Sequence, residues 1–194
     1  LGVEARIENI TYDALLQAVD SESVDVVISA FVGDSNQLDD AAYSDSYFVA
    51  GLRVVAPVNV AADLNAATPW TWAQGRLLGV EYGSAGDVLM RQWARRAADV
   101  EASLYPTAAE ALGALTTGQV DAALVDAVTA YAFISGEGAF HLIGPTLEPE
   151  PYVVVTGARS PRLLAEINRL LTELERDGTL PDLREKHLGV AARD

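Results

Sequence analysis

The chain has 194 residues, half of them hydrophobic, enough to bury a core as one large or two small domains and too apolar for a disordered chain. Its 28 acids against 13 bases leave a net charge of −15, which argues against nucleic acid or an anionic membrane surface as partner. The absence of cysteine excludes a disulfide framework and a thiol nucleophile, and the two histidines, His141 and His187, are too far apart for a metal-binding cluster.

Residues 3–10 alternate apolar with polar side chains and predict a strand, followed by a helix over 12–19 with Thr11 as its N-cap. Residues 24–30 predict a buried strand. Residues 51–58 predict another, stopped by Pro57 and taken as the first crossing between two lobes. The region 59–74 reads as irregular or as a short helix, with Trp70 and Trp72 open to packing or to ligand stacking. A buried strand at 76–80 and an amphipathic helix over 84–98 come next. A helix over 107–117, a tight turn at Gly118 and an apolar strand over 120–125 then deliver Asp126 to a strand's carboxyl end, where open α/β sheets place their ligands. Residues 140–143 predict a strand and 149–156 the return crossing. The last helix starts at Pro161, runs to 177 and is capped by Gly178. No stretch reaches the roughly 18 uninterrupted apolar residues of a membrane-spanning helix, and no short repeat or linker interrupts the order.

The sequence Tyr12 to Ala30 and the sequence Gly118 to Asp126 share one grammar, a helix followed by a Val-Asp-hydrophobic strand. Together with Tyr43-Ser44-Asp45-Ser46-Tyr47-Phe48, Gly79-Val80-Glu81-Tyr82-Gly83-Ser84, and Gly178-Thr179-Leu180 through Lys186-His187-Leu188-Gly189, they stand in the order and spacing of a known family. The chain resembles the type 3 extracellular solute-binding proteins, the receptors of polar amino-acid ABC importers. The resemblance implies an α/β, two-lobed periplasmic-binding-protein-like fold of type II, with lobe I at 1–55 and 150–194, lobe II at 56–149 and a ligand cleft between them. Residues 1–7 match the family's second strand, so lobe I is expected to be truncated at its N-terminus by roughly 40 residues, a strand, a helix and their loops. The apolar face through Ile7, Val26 and Ile28 is then expected to self-associate or to accept a swapped segment.

The same resemblance implies ligand contacts at Ser29, Ala30, Val32, Asp34, Gln37, Glu81, Gly83, Ser84, Ala85 and Asp126. The run Gly83-Ser84-Ala85-Gly86 opens a helix and offers backbone amides and the positive end of the helix dipole to an anion; from the residues alone, Ser84 is equally an N-cap. Asp126 resembles the family acid that pairs with a ligand ammonium, and reads otherwise as a solvated strand end or a helix cap. Where amino-acid binders carry Thr and, three residues on, Arg, this chain has Asp34 and Gln37. Gln offers one neutral amide group in place of a bidentate guanidinium, so the usual carboxylate clamp is missing. Asp34, Glu81 and Asp126 together favour a cationic or polyhydroxylated ligand.

The expected function is a receptor that delivers a small polar solute to an ABC permease, in the periplasm or outside the cell, with lipoprotein anchoring open, and without metal or cofactor. A sensor domain of the same fold with altered or lost binding is the alternative. Cyclohexadienyl dehydratases resemble the same family, but their chemistry needs anion anchors and a positioned acid. With Gln37 for Arg and no His or Cys in the cleft segments, no enzyme is expected.

Overall fold

The computed structural model describes residues 3–33, 40–61, 63–65 and 67–188. The chain divides into two compact units, one of Leu1–Val49 with Glu150–Leu183, the other of Ala50–Pro149 with Arg184–Asp194. A 3-10 turn at Tyr12–Ala14 leads into α1 (Leu15–Asp20) and β1 (Val26–Val32). Then follow β2 (Ala41–Pro57), α2 (Pro69–Ala73), β3 (Arg76–Glu81), α3 (Ala85–Arg96), β4 (Val100–Tyr105), α4 (Ala108–Thr116), β5 (Ala122–Asp126), α5 (Ala127–Gly136), β6 (Phe140–Gly157), α6 (Pro161–Arg176) and α7 (Thr179–Leu188). Among the described residues no helix is long and apolar enough to cross a membrane.

Neither crossing is a loop. The boundaries of the units fall inside β2 and β6, two long strands, so the segments expected separately at 140–143 and 149–156 are one strand. Among the described strands the order of paired neighbours is β1-β6-β2-β5-β3-β4.

In the second unit β3 is parallel to both β4 and β5, and β5 is antiparallel to β2, with Leu52 opposite Asp126. β5 is an apolar run, buried from Ala122 to Val125, because both its faces are covered, whereas the edge strand β4 is largely exposed. Along β5, Ala122 and Leu124 enter one core with Trp72, Met90 and Trp93, while Ala123 and Val125 enter another with Leu112, Leu115 and Ala130. Complete burial of a side chain such as Leu124 is worth about 1.5–3 kcal/mol. The tryptophans take the packing role: Trp72 is buried under Arg76, and Arg96 lies over Trp70, 4.8 Å from its ring centre.

In the first unit α1 closes over β1, joining Leu15, Val19, Val27 and Phe31 to Val153 and Val155 of β6. Two expectations for its beginning are corrected. Residues 3–10 form no strand, and Val3 and Ile7 are 75% and 94% exposed. Alternation says which face a strand would bury, but a strand exists only through a partner for its backbone groups, and no described strand pairs here. Thr11 is the N-cap of the segment that starts at Tyr12, but that segment opens as a 3-10 turn and the Thr11 side chain makes no cap bond. Ile28 is also exposed, and Val26 is half-buried.

Candidate functional site

The parallel neighbours β3 and β5, with Leu78 opposite Ala122 and Gly79 opposite Ala123, both end at their carboxyl edge in an acid and turn at once into a helix. Glu81 is followed by the turn into α3, and Asp126 is itself the N-cap of α5. Gly86 brings the two together. A Cβ there would stand 3.0 Å from the Leu124 carbonyl oxygen and 3.4 Å from Ser84 Oγ, so glycine lets the start of α3 lie closely against the end of β5, and a larger residue would push the two apart by a few tenths of an ångström. Gly83 has φ +75°, a left-handed turn that favours glycine for its backbone alone, since nothing lies within 4 Å of its would-be Cβ.

The turn is bonded more internally than its sequence suggests. Ser84 caps α3, its hydroxyl accepting the Asp87 N–H at 3.2 Å and donating to the Glu81 carbonyl at 2.8 Å. The Ser84 N–H also goes to that carbonyl at 3.2 Å, and the Gly83 N–H goes to Asp87 Oδ2 at 2.9 Å. Two of the backbone donors expected to face an anion are thus occupied. Among the described residues no hydrogen bond takes the N–H of Ala85 or Gly86, and Ala85 is exposed.

Asp126 is exposed, and its Oδ1 accepts the Thr129 N–H at 2.9 Å. The cap uses one carboxylate oxygen and leaves the charge at the surface, so the capping role and a ligand role are compatible. Glu81 is half-buried.

Ser29, Ala30 and Val32 lie on β1 of the first unit. There Val27 pairs with Val155 but Phe31 with Val153, so three residues of β1 stand against Val154 alone. This bulge leaves Ser29 and Ala30 exposed, and Val32 half-buried. Ala30 has φ +50°, unusual for a residue with a Cβ, and its N–H donates to the Tyr47 hydroxyl at 3.2 Å. Burial pushes the Tyr47 phenol up, with the Ala30 bond acting in the opposite sense. Opposite the bulge, the Val154 N–H donates to the buried Ser44 hydroxyl at 2.8 Å. Asp34 and Gln37 lie outside the described residues.

Sequence reasoning missed Asp87 and Arg91 in the second unit, and Ser44 and Tyr47 as supports of the bulge in the first. The first pair had a signal: Ser84 followed three residues later by Asp87 is the pattern of a reciprocal helix cap, and Asp87 with Arg91 is an i,i+4 ion pair. The Arg91 guanidinium, and after it the Gly83 N–H, holds the Asp87 carboxyl below the usual carboxylate range. Nothing local marks Tyr47 as a partner of Ala30.

The chain is similar to the L-cystine-binding protein TcyJ of Escherichia coli strain K12, 25% identical over 191 residues that make up 98% of this chain and 70% of that protein. It is similar also to the ABC transporter glutamine-binding protein GlnH of Bacillus subtilis strain 168, 23% identical over 183 residues, 94% of this chain and 64% of the other. Among solved structures, the L-cystine solute receptor of Neisseria gonorrhoeae in its unliganded open conformation superposes with a TM-score of 0.82, covering 97% of this chain and 77% of that one. At 16% identity that likeness shows the fold alone, the two-lobed α/β fold of type II periplasmic binding proteins. The family of bacterial extracellular solute-binding proteins, family 3, matches residues 1–190, and the chain belongs to it.

Proposed function

We propose that this chain is the solute receptor of an ABC importer, working outside the cytoplasmic membrane and binding a neutral polar or cationic small molecule rather than an ordinary L-amino acid. It presents the solute to a permease and carries out no catalysis itself. The receptor role is supported by the family and by a relative named as an ABC transporter component. The ligand itself is not inherited, because the two relatives above bind cystine and glutamine at nearly equal identity.

One observation carries the ligand class: at the rim of the second unit, an exposed acid, Asp126, accompanies a turn whose Gly83 and Ser84 N–H groups are already bonded within the chain. Gln37 in place of the family Arg adds to this. A carboxylate would forgo a charge-assisted pair worth about 1.5–3 kcal/mol, roughly one to two orders of magnitude in affinity. Ser29, Ala30 and Val32 complete the proposed contact set, with Asp34, Glu81 and Ala85.

Calorimetry of the chain against amino acids, polyamines and quaternary amines tests this. Binding confined to cations or uncharged polar solutes is expected, weakened tenfold or more for cations by Asp126→Asn and only slightly by Gln37→Ala. Micromolar binding of acidic or neutral amino acids would overturn the ligand class, and saturable binding of nothing in the panel would count against the receptor itself.

A further inference from the structure

Asp87 is the buried carboxylate of the described residues, 2% exposed in the first turn of α3. A reciprocal helix cap would return its carboxylate to the N–H of the capping residue. Here the Ser84 N–H is held by Glu81, and Asp87 Oδ2 reaches one residue further, to the Gly83 N–H at 2.9 Å. Arg91 closes on it from the next turn: its Nε donates to Asp87 Oδ1 at 2.8 Å and a terminal nitrogen donates to Oδ2, while its side chain stays 58% exposed. An internal anion therefore sits where the helix start would otherwise favour an external one. Its charge is cancelled by a cation that solvent reaches.

Resting on the receptor reading above, we infer that Asp87 and Arg91 form a specificity-determining pair that sets the charge of the ligand turn. Asp87 fixes the turn by holding Gly83. Arg91 neutralises Asp87, so the N–H of the exposed Ala85 is offered as an uncharged donor, with that of the buried Gly86 behind it. Loss of the cation would leave a buried negative charge beneath those donors and repel a ligand carboxylate; loss of the anion alone would leave the cation and attract one. Neither change acts on an uncharged ligand group. An ordinary capping role predicts no dependence on ligand charge.

The test needs no cognate ligand. Acetate and acetamide are titrated into the wild-type chain, Arg91→Gln, Asp87→Asn and the double variant, and the amide NMR shifts of Ala85 and Gly86 are followed. Asn keeps an acceptor for Gly83, and Gln at an exposed helical site leaves the fold intact, so both variants are expected to be native. Acetate affinity should fall in Arg91→Gln and rise in Asp87→Asn, each by about 3-fold, the worth of a unit charge a few ångströms away at a screened surface. The double variant should return to the wild-type value, and acetamide should follow none of these changes. Equal responses to acetate in all four proteins, or equal shifts in the response to acetate and acetamide, would overturn the inference. Hydrogen exchange at the Gly83 N–H reads the positioning role separately: protection in wild type and Asp87→Asn but not in Asp87→Ala is expected, and equal exchange in all three would overturn that part. Failure of the receptor reading would show instead as wild-type calorimetry silent across the solute panel, while the acetate order still held.

Discussion

The two regions that carry the proposed ligand residues are built in opposite ways. At the rim of the second unit the decisive bonds are local: Ser84 to Asp87, Gly83 to Asp87 and Asp126 to Thr129 span three or four residues. At the bulge of the first unit they reach further along the chain, with Ala30 and Tyr47 separated by 17 positions and Ser44 and Val154 by 110. A helix start is shaped by its own sequence, whereas a bulge is shaped by whatever lies across from it. The first should tolerate substitution elsewhere and the second should not.

The comparison is put under most strain by Gly51, where a position of the second unit depends on a distant one. Its φ is +130°, and a Cβ would stand 2.7 Å from the carbonyl oxygens of both Leu147 and Glu148. These neighbours are backbone and cannot swing aside. Gly51→Ala is expected to destabilise by about 3 kcal/mol, combining overpacking with left-handed strain. Denaturant unfolding checks it, and a loss under about 1 kcal/mol would show that β6 yields at this point.

Ser44→Ala comes next and probes the first unit. It removes the acceptor of a buried N–H, that of Val154 on β6. An orphaned buried donor costs roughly 2 kcal/mol. Faster amide exchange at Val154 should accompany the lower melting temperature, and unchanged exchange would mean that water or a shifted strand replaces the hydroxyl.

What the sequence made legible follows the same division. The strands at 76–81 and 122–126, the helices over 85–96, 108–116 and 161–176 and the caps at Ser84 and Asp126 could be read because apolar periodicity and capping chemistry act over a few residues. The Gly83 N–H was misjudged for a related reason: the sequence pattern shows that a helix begins there, but not which acceptor has already claimed each donor. The strand at 3–10 failed because pairing is not encoded in alternation. The bulge at 28–30 was unreadable, since its cause lies in β6 and in Ser44 and Tyr47 on β2. That β2 and β6 are each one long strand was equally hidden, because Gly51, Gly144 and Pro149 are breaker residues by local rules and are carried within strands by tertiary pairing.

Asp126 separates cap from ligand contact. Asp126→Ala removes the acceptor of the Thr129 N–H and should cost about 1 kcal/mol, while Asp126→Asn should cost only a few tenths because Asn caps nearly as well. Thermal unfolding of the two variants beside calorimetry of the same proteins resolves the roles. If Asn loses both stability and cation binding, the carboxylate is doing something in the fold beyond capping α5.

The smallest stability effect is expected from Tyr47→Phe, and it discriminates most finely between local and long-range construction. The bond from the Ala30 N–H is exposed, so water can replace the phenol and the net loss should be about 0.5 kcal/mol, the low end for a single hydrogen bond. Its structural consequence should be larger than its energy. Ala30 sits at φ +50°, a conformation its Cβ disfavours, and holds it in a bulge where the neighbouring ladder gives no support. Without the Tyr47 hydroxyl, the Ser29 and Ala30 amides should show faster exchange and altered NMR shifts, while those of Ser84, Ala85 and Asp126 stay as in wild type. Solute affinity should fall in the same variant by more than its stability does, because the strained residue is one of the proposed contacts. Unchanged shifts at Ala30 would mean that the register of β1 on β6 alone fixes the bulge, and the first unit would then be built as rigidly as the second.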